Sequence, residues 1–131
     1  MGYVNQDLIL SSTVTVPTSA TDVTGTLFVA DLEQVGVSVY NPGPAVLQGV
    51  VSTRLSGGSK VAQRAGVTSP WVNRDAYQGL ADIQPGETRE AEFDVSAVDD
   101  VRIILSADVL QADVGIVVKR MVFLDSRQYV I

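Results

Sequence analysis

Apolar and polar residues alternate along much of the chain. Three runs of apolar residues each keep one parity: Val35, Val37 and Val39; Val101, Ile103 and Leu105; Val114, Ile116 and Val118. Since successive side chains of a β-strand point to opposite faces, a period of two residues is typical of a strand with one buried face. The pattern predicts strands near residues 7–16, 22–30, 34–40, 46–55, 88–95, 101–107 and 113–124.

Other alternating runs predict which side of each strand is buried. Leu8, Leu10 and Val14 share one parity, and Leu47 and Val51 share another, so each set is expected to face the core. In a further run, the apolar residues Ala91, Phe93 and Val95 alternate with Glu90, Glu92 and Asp94, so the outer face of this strand is wholly acidic. A row of carboxylates requires water, so we expect at least one sheet with a solvated face.

Turn-forming residues separate the predicted strands at residues 41–44 (NPGP), 56–59 (SGGS) and 84–87 (QPGE). Pro followed by Gly fits a type II turn, whose third position needs a positive φ, and each segment is interpreted as a reversal between antiparallel strands. Val, Ile and Thr fill 38 of the 131 positions, which favours strands over helices. The chain is therefore predicted to be all-β, a single β-sandwich or jelly-roll-like domain over residues 1–131 with seven to eight antiparallel strands.

Composition and charge exclude several classes of function. Nine basic and fifteen acidic residues give a net charge of −6, so we expect no nucleic acid partner and no anionic membrane partner. The chain has no His and no Cys, which removes imidazole bases, thiol nucleophiles and zinc sites. The first ten residues lack the pattern of a secretory signal, and no apolar run reaches the roughly 18 residues of a membrane span.

The acidic residues offer no recognisable catalytic or metal-binding motif. Asp99 and Asp100 lie between two predicted strands, where Asp is an ordinary turn residue. Asp94 and Asp108 complete a set of hard oxygen ligands that suits calcium, but the spacing matches no known calcium loop. We interpret these side chains as solvated turn acids, and we expect no catalytic residue, no cofactor and no metal.

Residues 60–83 have neither a clear strand pattern nor a turn pattern, and they contain the single Trp of the chain, Trp71. A loop of this length is usually functional or hides an unrecognised strand. Trp71, Asn73, Asp75 and Tyr77 share one parity, so an edge strand is the rival interpretation. Burial in the core, a protein interface and a sugar-binding platform are all compatible with Trp71, Tyr77 and their polar neighbours.

The chain ends in an apolar segment after Arg127. Such a segment either adds a last strand to a sheet or docks on a partner. The predicted partner-binding residues are therefore those of the aromatic stretch and of this tail: Trp71, Asn73, Arg74, Tyr77, Tyr129, Val130 and Ile131.

Two apolar positions indicate association between copies. Ile104 and Val117 lie on strands that are apolar on both faces, whereas one small sandwich covers only one face of each strand. We therefore expect a symmetric homo-oligomer.

Residues 35–108 resemble the small β-sandwich structural proteins of tailed bacteriophages, especially capsid decoration or cement proteins. The resemblance lies in the segments VGVSVYNPGPAVLQGVVSTRL and REAEFDVSAVDDVRIILSAD and in the Pro-Gly turn that precedes the second. It implies a non-enzymatic virion protein, assembled in the host cytoplasm, that forms trimers and clamps the major capsid protein or another virion protein. A carbohydrate-binding or adhesion module of a phage tail or surface protein is the alternative.

Overall fold

The computed structural model describes residues 3–29, 32–54, 71–74, 78–95 and 98–123. Within these ranges the chain forms nine strands: β1 (Tyr3–Val16), β2 (Thr21–Asp22), β3 (Leu27–Phe28), β4 (Gln34–Tyr40), β5 (Leu47–Arg54), β6 (Val72–Asn73), β7 (Thr88–Asp94), β8 (Asp100–Ala107) and β9 (Gln111–Phe123). A short 3-10 helix, Gln78–Leu80, lies between β6 and β7. Among the residues described, no helix is long and apolar enough to cross a membrane.

The strands form two antiparallel sheets that pack against each other. The first sheet has the order β1-β9-β4-β7, and the second has the order β2-β8-β5-β6, with β3 also paired to β8. The predicted all-β sandwich is therefore confirmed.

The strand order is that of a jelly roll. Since β5 occupies one edge of β8 along its whole length, β2 and β3 must share the other edge as two halves of one interrupted strand. Counted this way there are eight strands, in which the first pairs with the eighth, the second with the seventh, the third with the sixth and the fourth with the fifth. This is the pairing of a long antiparallel hairpin wrapped into two sheets.

The core lies between the two sheets and consists of the inward-facing residues that the alternation predicted, together with several that it did not. Among the described residues, the fully buried apolar side chains are Val16, Val29, Val35, Val39, Ala45, Leu47, Val51, Leu80, Ile83, Val95, Val101, Ile103, Leu105, Val114, Ile116 and Val118. On the outer face Ile104 and Val117 are half-buried, so the chain itself covers them only in part. Oligomerisation remains a prediction.

A β-bulge corrects one of the predicted faces. Leu8 pairs with Lys119 and Leu10 pairs with Val118, so two steps along β1 correspond to one step along β9 and Ile9 is the extra residue. Because of the bulge, Leu8 and Leu10 face opposite sides of the sheet, and 60% of the Leu8 surface is exposed. The expectation that Leu8 faces the core was wrong, because a two-residue period does not survive an inserted residue.

The turns at residues 41–44 and 84–87 connect strands of different sheets. Gly43 and Gly86 have φ values of 84° and 80°, as the Pro-Gly pattern predicted. Each turn carries the chain across the sandwich instead of joining hydrogen-bonded neighbours: β4 lies in the first sheet and β5 in the second. The predicted turn at 56–59 lies outside the described residues.

Two buried amides hold the first of these turns. The Asn41 side chain donates to the carbonyls of Ala45 at 2.7 Å and Ile83 at 3.0 Å, and its oxygen accepts the N–H of Gly43 at 3.0 Å. Gln111 accepts the N–H of Ala45 at 2.8 Å and donates to the carbonyl of Gly43 at 2.7 Å. The two side chains thus satisfy backbone groups that burial would otherwise leave unpaired.

An arginine fixes the segment before β7. Arg89 donates to the carbonyls of Gly79 at 3.1 Å and Ala81 at 2.9 Å, and it forms an ion pair with Glu87 at 2.7 Å. The hydrogen bond from Arg89, helped by the backbone N–H of Gln84, holds the pKa of the Glu87 carboxyl below its usual value. The positive charge of Arg89 is therefore already compensated within the chain.

Replacing Gly49 by Ala is expected to destabilise the fold. An added Cβ would lie 2.5 Å from the Cβ of Leu80 and 2.9 Å from its carbonyl oxygen. Relief of this clash would require a costly shift of the Leu80 backbone. We expect Gly49→Ala to lower the free energy of unfolding by about 2 to 3 kcal/mol, as overpacking does, in a urea titration. Gly115→Ala is the matched control, because its Cβ would lie at an ordinary 3.5 Å from Tyr40. Equal stability of the two variants would contradict the close packing of Leu80 on β5.

Candidate functional site

The candidate site lies on the outer face of the second sheet, where β5, β6 and β8 meet. The β5–β8 register places Arg54 opposite Asp100 and Ser52 opposite Arg102. These four side chains have the parity opposite to the core residues Val51 and Ile103, so they project away from the core.

Trp71 is held on this face by the short edge strand β6. Val72 pairs with Thr53 and Asn73 pairs with Ser52, which puts Trp71 beside the end of β5. The predicted alternative of an edge strand is thus confirmed for residues 72–73.

Two arginines lie over the Trp71 ring. The guanidinium carbons of Arg54 and Arg102 are each 4.3 Å from the ring centre, well within the range of a cation–π interaction. Both arginines lie on strands of the sheet and Trp71 is half-buried, so the ring is fixed against the sheet rather than free in solvent.

A partly buried ion pair orients the first of these arginines. The Nε of Arg54 lies 2.9 Å from Oδ2 of Asp100, and their side chains are 24% and 6% exposed. The expectation that Asp100 is a solvated turn acid was wrong, because Asp100 begins β8 and is buried against Arg54.

A third arginine, Arg74, follows β6 but lies on the opposite side of the sheet, because it is paired with Val51 and its side chain contacts Thr53, both of which face the core. The backbone N–H of Arg74 donates to the carbonyl of Val51 at 2.9 Å, which extends the β5–β6 pairing by one bond. Its Nε donates to Oγ1 of Thr53 at 2.7 Å. Asn73 and Arg74 are exposed, so both offer polar groups to solvent or to a partner.

Two polar atoms in this cluster are buried without a hydrogen-bond partner: Oγ of Ser52 and Nε of Arg102. The two residues are direct partners across β5 and β8 and share the outer face. A buried polar group without a partner costs about 1 to 3 kcal/mol, so these two atoms lower the stability of the cluster.

We refer to the patch as the Trp71 surface, and it comprises Arg54, Trp71, Asn73, Asp100 and Arg102. Two of the predicted partner-binding residues, Trp71 and Asn73, come together here, whereas Arg74 lies on the other side of the sheet with Val51 and Thr53. Sequence reasoning missed Arg54, Asp100 and Arg102, because their proximity depends on the β5–β8 register. The predicted site residues Tyr77, Tyr129, Val130 and Ile131 lie outside the described residues.

The calcium ligands considered from sequence are engaged in other contacts. Asp100 is paired with Arg54, and Oδ1 of Asp108 accepts the backbone N–H groups of Val46 and Val109, each at 2.9 Å. In the described ranges, no group of three or more acidic side chains is placed to hold a metal ion.

The outer face of the first sheet carries a row of acidic residues on β7. Glu90, Glu92 and Asp94 of β7 are exposed, as the acidic alternation predicted. Beside them a groove of about 200 Å³ is lined by Gly36, Val37, Ser38, Glu90, Ala91, Glu92, Val117 and Lys119.

No known protein family matches the chain, and no curated protein matches it. The Trp71 surface and the acidic face of β7 are therefore interpreted from their own chemistry.

Proposed function

We propose that this chain is a non-enzymatic structural protein of a virion, a capsid decoration protein that binds and stabilises the outer capsid surface. The observation that carries the proposal is the Trp71 surface, which combines one Trp with two arginines on a rigid sheet. Trp and Arg are the residues most enriched at the energetic centres of protein interfaces. Side chains already fixed by stacking and by an ion pair lose little conformational entropy when a partner binds.

The resemblance of residues 35–108 to decoration proteins of tailed phages supplies the virion context of the proposal. The jelly-roll topology is compatible with a virion protein but does not distinguish it from a carbohydrate-binding module, because this fold occurs in viral capsid proteins and in lectins alike. The choice between the two classes therefore rests on the site.

The Trp71 surface favours a protein partner over a sugar. A sugar ring stacks on an exposed aromatic face, whereas the guanidinium groups of Arg54 and Arg102 already lie 4.3 Å from the centre of the Trp71 ring. A stacked sugar would compete with both cations. A carboxylate from a protein would instead leave the stack in place and add acceptors to it.

Replacing Trp71 by Ala is expected to weaken capsid binding. The wild-type protein should co-sediment with empty capsids of a tailed phage, saturate at a fixed number of copies, and raise the temperature at which the capsids disrupt. A central Trp contributes about 2 kcal/mol or more at an interface, which is a loss of roughly 30-fold in affinity for Trp71→Ala. Its melting temperature should change far less, since Trp71 lies outside the core between the sheets.

The matched control is Leu110→Ala, which removes an exposed apolar side chain (67% exposed) from the turn between β8 and β9. This variant should bind like the wild-type protein. If Trp71→Ala binds capsids as the wild-type protein does, the Trp71 surface is not the capsid-binding site. Failure of the wild-type protein to bind capsids, together with saturable binding to immobilised glycans, would overturn the proposal in favour of a carbohydrate-binding module.

A further inference from the structure

Among the described strands, β1 is an edge strand that pairs on one side only. The first sheet has the order β1-β9-β4-β7, so the second edge of β1 carries no neighbouring strand. The strand has 14 residues, no proline and a single charged residue, Asp7. A long edge strand of this composition presents a row of unpaired backbone N–H and C=O groups, which is a template for pairing with another chain.

The other edge strand of the same sheet is protected by charge. In its seven residues β7 carries Arg89, Glu90, Glu92 and Asp94. Charged side chains on an edge strand oppose pairing with a further strand, and like charges that lie directly opposite each other are destabilising. This contrast makes β1 the edge of the sheet that favours an added strand.

The core is only partly covered along β1. Leu10, Ser12 and Val14 lie opposite fully buried residues of β9, so they are on the core face of the sheet. Leu10 and Val14 pack against the core, yet each is only half-buried. A strand added beside β1 would therefore bury apolar surface as well as pair the backbone groups.

The residue pattern of β1 is self-complementary about Ser12. The pairing of β1 with β9 is regular from Leu10 to Val14 and irregular on both sides of that stretch, so Ser12 is its centre. In an antiparallel pair of two such stretches, the exposed Ser11 lies opposite the exposed Thr13, and Leu10 lies opposite Val14. Directly opposite residues share a face, so hydroxyl groups pair on the outer face and apolar groups pair on the core face. A shift by one residue would place core-facing side chains opposite outward-facing ones.

We propose that β1 of one copy pairs antiparallel with β1 of a second copy about a two-fold axis at Ser12. The contact is isologous, so it closes as a dimer and joins the two first sheets into one continuous sheet. The inference is independent of the proposed function, because Trp71 lies beside β6, at an edge of the second sheet.

Charged pairs on the outer face of β1 test the contact in sedimentation velocity experiments. Ser11→Lys/Thr13→Lys places lysines directly opposite each other across the axis, and Ser11→Glu/Thr13→Glu does the same with carboxylates. Both positions are exposed, so each variant should keep the fold. Each variant alone should weaken dimerisation by about tenfold, because two like-charge pairs replace two hydroxyl pairs. An equimolar mixture should dimerise as tightly as the wild-type protein, because every lysine then lies opposite a glutamate.

The control is Thr88→Lys/Glu90→Lys, which places two lysines at the same spacing on β7 and should dimerise like the wild-type protein. An introduced thiol checks the register, since the chain has no Cys. A short bis-maleimide should cross-link Ser12→Cys far faster than Thr15→Cys. Opposing Cα atoms at the axis are about 4.5 to 5.5 Å apart, whereas the two copies of residue 15 would be about 20 Å apart.

A wild-type protein that stays monomeric at about 100 μM, well above the dissociation constants of specific complexes, would overturn the inference. A dimer that the charges on β1 leave unchanged, a mixture that stays monomeric, or equal cross-linking of the two cysteine variants would overturn it as well. The two proposals fail separately. Trp71→Ala should leave the dimer intact, and capsid binding by a monomeric protein contradicts only the pairing of β1.

Discussion

Asn41→Asp is expected to lower the free energy of unfolding by about 3 to 5 kcal/mol, the cost of an uncompensated buried charge. Asn41 is fully buried, and its amide donates to the carbonyls of Ala45 and Ile83. A carboxylate of the same shape cannot donate to either carbonyl, and its charge would face two carbonyl oxygens. Because the free energy of unfolding of such domains is only about 5 to 15 kcal/mol, this single change removes a large part of the stability of the fold.

The measurement is a urea or guanidinium titration at neutral pH, with Asn73→Asp as the control. Asn73 undergoes the same chemical change on the exposed end of β6, so its variant should stay within about 0.5 kcal/mol of the wild-type protein. Similar stability of both variants would show that the two amide hydrogen bonds of Asn41 contribute little.

The sequence predicted most of the fold because one physical rule governs most of its strands. β4 occupies the predicted residues, and β5, β7, β8 and β9 end within two residues of the predicted positions. Wherever one face of a strand packs on the core, the residue period must be two, and the pattern is visible locally. The same rule fails at Ile9, where a bulge shifts the period, and the chain around that residue contains no signal for the insertion.

Core residues outside the strands were not predicted. Leu80 and Ile83 are fully buried, yet they lie in a stretch with no alternation. The 3-10 helix and a single bridge between Ile83 and Leu47 hold this segment over the sandwich. Burial of this kind depends on tertiary contacts that no local period records.

The candidate site could be predicted only in part, for the same reason. Trp71, Asn73 and Arg74 were selected because aromatic and cationic residues cluster there in sequence. Arg54 and Asp100 are 46 residues apart, and only the pairing of β5 with β8 makes them neighbours. Two adjacent aspartates between strands are typical of solvent-exposed turn residues. The sequence pattern therefore predicted an exposed Asp100, whereas Asp100 is buried.

The ion pair with Arg54 makes Asp100 central to the arrangement of the Trp71 surface. Its carboxylate fixes Arg54, and Arg54 in turn covers the Trp71 ring. The backbone reinforces the arrangement, because the N–H of Asp99 donates to the carbonyl of Arg54 at 3.1 Å. The arrangement of the Trp71 surface is therefore coupled to the stability of the fold through this ion pair.

Asp100→Ala is expected to cost about 3 kcal/mol of unfolding free energy, at the lower end of the range for breaking a buried ion pair. The lower end applies because the Arg54 side chain keeps 24% of its surface in solvent and can be hydrated in part. The cost should persist at high salt, since screening by salt acts weakly on a buried pair. Glu33→Ala is the control, because it removes one negative charge at an exposed residue and should change stability far less.

A double-mutant cycle with Arg54→Met isolates the pair from the rest of the cluster. In the Arg54→Met background, Asp100→Ala should cost less than half of its effect in the wild-type protein, because no guanidinium is left unpaired. Equal costs in both backgrounds would show that Asp100 stabilises β8 through other contacts. In that case Arg54 would lie on Trp71 through stacking alone.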